Sequence, residues 1–242
     1  MQLLSETSDQ RHKGHEAALH EIVEALRAPR KDGEQLCALC LRRSQSVERE
    51  VRAFFAEYVN DAQARSGWRC SQGFCGDHTR LLATIGDSLA IAILYADLAD
   101  LTRERWRKAD SHSSRQMFSA RLRRGRIAAA PASCLACDMA HAADERNAAA
   151  LAQALAHDDE ELWQAMEAGG GLCVAHTDQV SSLAAPAAAA RLRQSEERRL
   201  AVLQSELEEI IRKNDYRFRG ETWGAERDAW LRAIQKLKRP GP

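Results

Sequence analysis

A chain of 242 residues can form one large domain or two smaller ones with a substantial buried core. Lysine plus arginine balance aspartate plus glutamate at 35 each, so bulk charge selects neither a nucleic acid nor a membrane surface as partner. Alanine, leucine, glutamate and arginine dominate while glycine and proline are sparse, which predicts an all-α protein.

The opening "MQLLSETSDQRHKGHE" lacks the apolar core of a signal peptide, and seven cysteines without an export signal imply a reducing, cytoplasmic setting with metal or thiol chemistry. Residues 8 to 28 read as an N-terminal helix that stops before Pro29. His12, His15 and His20 on it have no counterparts elsewhere and read as surface residues. The next segment brings "CALC" (Cys37, Cys40), then "SVEREVRAFFAEYV", whose Val47, Val51, Phe54, Phe55, Tyr58 and Val59 predict an apolar helical face. "QGFCGDHT" follows with Cys75 and His78. The nine-residue apolar stretch "SLAIAILYA" is too short for a membrane, which needs about 20 residues, so it predicts a buried helix.

Most of this pattern recurs. "CLAC" (Cys134, Cys137) lies 97 residues after the first CxxC, and "GLCVAHT" places Cys173 and His176 98 residues after Cys75 and His78. Such near-constant offsets are those of a duplicated unit with one inserted residue. The division expected is an N-terminal helix (1–29), zinc module 1 (30–102), a basic connector (103–127), zinc module 2 (128–213) and an aromatic, charged C-terminal segment (214–242). Each copy supplies CxxC, 34 or 35 residues, then CxxH. Three thiolates and one imidazole form a common closed zinc set, so two structural zinc ions per chain are expected, one within each copy. Iron-sulfur ligation fits the second copy poorly, and a filled coordination shell leaves no position for catalytic water. Cys70 has no counterpart and reads as a spare thiol. The glycines before Phe74 and Leu172 are expected to make the turn that delivers the third ligand.

The connector holds nine basic residues against two acids over 103–126, with Arg121, Arg123 and Arg124 as candidate nucleic-acid contacts and Trp106 and Phe118 available to stack. A solvated connector docking on the acidic stretch 138–161 explains the same charge. Leu200, Leu203, Leu207 and Ile210 predict a long amphipathic helix, with Glu208–Arg212 and Glu209–Lys213 pairs along it. The closing segment concentrates Tyr216, Phe218, Trp223 and Trp230; Trp223, Trp230, Ile234 and Leu237 share a face and are expected mainly in the core.

The doubled CxxC with GFCxxH or GLCxxH, the "LAIAILYADL" helix and "KNDYRFRGETWGAERDAW" together resemble an uncharacterised bacterial family of unknown function. Its members carry paired cysteine-histidine motifs and end in an Asp-Tyr-Arg…Trp-Gly-x-Glu…Trp segment. The resemblance implies the eight Cys and His positions above, and Asp215, Tyr216, Arg217, Glu226 and Trp230 as a partner or ligand segment. It carries no activity. The function expected is a zinc-binding, non-enzymatic scaffold or adaptor that binds another protein or a second copy of itself; nucleic-acid binding and a thiol-redox zinc switch are the alternatives.

Overall fold

The computed structural model describes residues 16–28, 37–85, 87–115, 133–157, 160–218 and 220–238, the side chains of 83 and 109–115 excepted. Among them the chain is all-α, without a strand. Helix α1 covers 16–27. Two matched runs follow: α2 Ala38–Glu57, α3 Ala62–Ser71, α4 Gly76–Ile85, α5 Ser88–Arg115, and α6 Leu135–Leu155, α7 Glu160–Ala168, α8 Val174–Leu183, α9 Pro186–Lys213. Their lengths, 20, 10, 10 and 28 residues against 21, 9, 10 and 28, fit duplicated modules. Helix α10, Ala229–Leu237, ends the described chain after two short 3-10 turns.

The compact units do not follow the two copies. Unit 1 takes Met1–Gln45 and Ala142–Pro242, and unit 2 takes Ser46–His141. Helix α2 therefore begins in unit 1 and continues in unit 2, whereas α6 begins in unit 2 and continues in unit 1.

Unit 1 buries Ile22 and Leu26 of α1 with Leu39, Leu151, Leu155, Trp163, Leu172, Val180 and Leu192. Unit 2 buries Val47, Val51, Phe54, Phe55, Val59, Trp68 and Leu94. This is the apolar face anticipated on α2, except that Tyr58 points to solvent. Trp68 meets Phe74 and Tyr95 edge-on at 5.1 and 5.5 Å, and its indole N–H donates to the Leu94 carbonyl at 3.2 Å. That bond satisfies the one polar atom of a fully buried indole. The apolar stretch before α5's midpoint is only half buried, with Ala90 and Leu94 inside and Leu89 exposed.

Asp61 caps α3, accepting from the Ala64 N–H at 2.8 Å. The helix ends in left-handed backbone at Gln72 (φ 57°) and Gly73 (φ 90°), which turns the chain into Phe74 and Cys75. Gly171 (φ 67°) does the same before Leu172 and Cys173. Both expected turns are present.

The C-terminal segment corrects an expectation. Trp223, Trp230, Ile234 and Leu237 are not core; Trp230, Ile234 and Leu237 are 52, 59 and 56% exposed. What α10 buries instead is Ala229 and Lys236, the latter paired with the buried Glu196 of α9. Arg232 of α10 bonds Glu206 of α9 at 2.7 Å. Along α9 itself, Lys213 pairs with Glu209 at 3.6 Å as expected, but Arg212 bonds Glu209 at 2.7 Å and Glu208 accepts from Gln204.

Candidate metal centres

All eight predicted ligands converge, in two groups of four, but the grouping differs from expectation. Cys37, Cys40, Cys173 and His176 form the first and Cys75, His78, Cys134 and Cys137 the second. Each CxxC meets the CxxH of the other copy. The long helix after each CxxC accounts for this. At 1.5 Å per residue the 20 residues of α2 span about 30 Å and carry the chain from unit 1 into unit 2, where Phe74, beside Cys75, meets Phe55 near the end of α2. The 21 residues of α6 likewise carry the chain from Cys137 in unit 2 into unit 1, where Cys173 lies.

The first group lies wholly in unit 1 and is buried. His176 Nδ1 is 3.3 Å from Cys37 Sγ, 3.3 Å from Cys40 Sγ and 3.2 Å from Cys173 Sγ, and Cys40 and Cys173 sulfurs are 3.7 Å apart. The second lies wholly in unit 2 and is partly exposed. There His78 Nδ1 is 3.3, 3.8 and 3.5 Å from the sulfurs of Cys75, Cys134 and Cys137, and Cys75 and Cys137 sulfurs are 3.8 Å apart. A tetrahedral ion with metal–sulfur bonds of about 2.3 Å and a metal–nitrogen bond of about 2.0 Å has edges of about 3.8 and 3.5 Å. Both groups have those dimensions, so each can hold a four-coordinate metal ion.

The knuckles are built alike. The carbonyls of Cys37, Cys75, Cys134 and Cys173 each accept the backbone N–H four residues on, at 2.8 to 3.1 Å, so every ligand pair opens a helix. The threonine after each histidine bonds back to its cysteine carbonyl, Thr79 to Cys75 at 2.8 Å and Thr177 to Cys173 at 3.0 Å. This accounts for the repeated Cys-x2-His-Thr. In the second group the Cys75 N–H also donates to Cys134 Sγ at 3.3 Å.

Electrostatics single out one thiol in each group. Hydrogen bonds from Cys37 and Cys40 outweigh burial and hold Cys173 well below the ordinary thiol range. Burial opposes the same change at Cys75, yet the His78 backbone N–H and the Cys137 and Cys134 thiols draw it down. Burial first, then the neighbouring thiols, pushes Cys37 up and Cys137 up to about 12. In both groups the CxxH cysteine is thus the thiol whose pKa is drawn down, facing the N–H groups of a helix start. Burial disfavours charge on His176, but hydrogen bonds with Asp144, Cys173 and Cys40 prevail and raise it to about 11.

Two supporting residues escaped the sequence reading. His176 Nε2 is 3.3 Å from Asp144 Oδ1, and Asp144 Oδ2 is 3.5 Å from Arg43. Glu196 accepts the Leu172 N–H at 2.9 Å, beside Cys173. Asp144 sits in the acidic stretch expected to dock the connector; Asp144, Glu160 and Glu161 there meet Arg43, Arg191 and Arg27. Arg121, Arg123, Arg124 and Phe118 lie outside the described residues, as do His12 and His15. Trp106 and Cys70 are exposed. His20 is exposed beside Glu24.

The five residues of the closing segment do not gather into one site. Asp215 and Arg217 pair with each other at 2.7 Å, and Tyr216 and Trp230 face solvent. Glu226 is buried, accepting from the Gly224 N–H at 2.8 Å and Lys213 at 2.6 Å.

The model of a family of unknown function, DUF6062, matches residues 71–241. The chain belongs to this family. The matched stretch holds the whole second group together with Cys173 and His176, while Cys37 and Cys40 precede it. Over 65 residues the chain is 37% identical to an uncharacterized 23.9 kDa protein in the xynA 3' region of Caldicellulosiruptor sp. (strain Rt8B.4). That match covers 27% of this chain and 32% of the relative, so the chain spans about a third of its length. No solved structure matches the chain. Among the described residues no helix is long and apolar enough to cross a membrane.

Proposed function

We propose that the chain is a non-enzymatic cytoplasmic scaffold held together by two structural zinc ions, and that it docks another protein, in the first instance a second copy of itself, through α10. The observation carrying this reading is that each tetrad supplies four protein ligands of tetrahedral dimensions. Three thiolates and an imidazole suit zinc, and a shell of four protein ligands leaves no coordination position for a reacting water. Seven free cysteines accord with a reducing compartment.

Docking is supported by the reversed polarity of α10, which turns Trp230, Ile234 and Leu237 outward and Lys236 inward. An exposed aromatic and aliphatic stripe of this kind marks contact surfaces. One stripe meeting itself about a two-fold axis is the simplest closed contact. The test combines metal analysis with light scattering on the purified protein. Two zinc per chain and a dimer that becomes a monomer in Trp230→Lys/Ile234→Glu are expected. A coloured, iron-containing protein overturns the zinc reading; a wild-type monomer overturns the self-docking.

A further inference from the structure

Unit 1 contains a cavity of about 500 Å³ between α9, α10 and the end of α7 that neither metal group uses. Its charged lining is one-sided. Arg198, Arg199, Arg232 and Lys236 line it against a single acid, Glu167. The carboxylates that balance Arg232, namely Glu206 and Asp228, are not among the lining residues, nor is Glu196, the partner of Lys236. The lining is therefore basic, although Arg232 itself is committed to Asp228, Glu206 and the Ala225 carbonyl.

At one end of the cavity two cations face one anion. Lys236 and Glu196 are 5 and 4% exposed and paired, and the half-buried Arg199 approaches the same carboxylate. Arg199 spends its terminal nitrogens on the Met166, Glu167 and Gly169 carbonyls, at 2.6 to 3.1 Å. Its Nε stays 3.6 Å from Glu196 and, though buried, has no hydrogen-bond partner. Lys236 carries three N–H donors and gives one to Glu196. Beside these groups lie Val202 and Leu203, an apolar strip on the same wall.

We propose that this cavity binds a small organic monocarboxylate with an aliphatic tail, its carboxylate received by Lys236 and Arg199 and its tail lying along Val202 and Leu203. One carboxylate can meet both the partnerless Nε of Arg199 and the remaining N–H donors of Lys236. The volume falls in the range of about 300 to 1,000 Å³ usual for small-molecule sites, and charge-assisted hydrogen bonds to a carboxylate are the strong kind.

Isothermal titration of the full chain with octanoate, and in parallel with octylamine, tests this. Octanoate saturates at one per chain and octylamine, with the same tail and opposite charge, binds at least tenfold more weakly. Val202→Trp fills the cavity from a position that is exposed in the fold, and lowers octanoate affinity at least tenfold while metal content stays at its wild-type value. Lys236→Met does the same if it folds, but Val202→Trp decides the matter without disturbing the buried pair. Equal binding of the two probes, an unchanged octanoate titration in Val202→Trp, or no octanoate binding at millimolar concentration each overturns the site.

Discussion

Asp144 shows what one carboxylate adds to a tetrad. With a metal on His176 Nδ1, the Nε2 proton points to Asp144, which fixes the ring and its tautomer while Arg43 holds the carboxylate. Replacing Asp144 with Asn is expected to weaken metal binding in the first group about 10- to 100-fold and to leave the second unchanged, read by competition with a chromogenic chelator. At the 97-residue offset the counterpart of Asp144 is Val47, a core residue of unit 2, so repeat symmetry alone offered no hint of it. Glu226 is a second single-residue case. Its hydrogen bond from the Gly224 N–H, then its pairing with Lys213, lowers its pKa from the ordinary 4.5 to about 2. A carboxylate depressed on folding adds stability that is complete above about pH 4.5 and lost as pH falls toward 2. Thermal unfolding followed between pH 5 and 2 should show that decline, and Glu226→Gln should flatten it.

At the scale of an element, the glycine turn before α8 carries more than a ligand. Gly171 is at φ 67°, and a Cβ there would stand 2.2 Å from Glu196 Oε1, the atom that receives the Leu172 N–H. Gly171→Ala combines a left-handed penalty of about 1–2 kcal/mol with displacement of a buried hydrogen bond worth about 1–3 kcal/mol. A loss of about 2 kcal/mol or more by denaturant unfolding is expected. The turn itself was legible in the sequence, because only glycine enters that backbone region freely. The burial of α10 was not. Trp230, Ile234 and Leu237 at helical spacing read as core, and the pattern shows which residues share a face but not which face meets the protein. The outcome was decided by Lys236 and Arg232, whose partners Glu196 and Glu206 lie some 40 and 26 residues earlier on α9.

Across the whole molecule, the identity of the ligands was legible and their partition was not. Spacing of three residues brings two side chains to one ion, but it carries no information about which distant pair completes the shell. That was settled by α2 and α6, each of which leaves its CxxC in one unit and carries the chain into the other before the next CxxH. The partition has a direct test in double variants. Cys37→Ser/Cys173→Ser damages one tetrad and should lose one metal per chain, whereas Cys37→Ser/Cys75→Ser damages both and should lose two; pairing within copies reverses these results. The groups also differ in access. A chelator should strip the partly exposed second group before the buried first one, giving two phases in wild type and only the slow one in Cys75→Ser. Written along the chain, the ligand pairs form nested brackets, 37/40 with 173/176 outside 75/78 with 134/137. The inner closure joins residues about 56 apart and the outer one residues about 133 apart. Shorter loops close at lower entropic cost, and closing the inner one shortens the path the outer must span. The order of assembly is thus written into the bracket: a nascent chain can complete its inner clasp once Cys137 has emerged, while Cys37 and Cys40 wait for the final third of the polypeptide before they acquire partners.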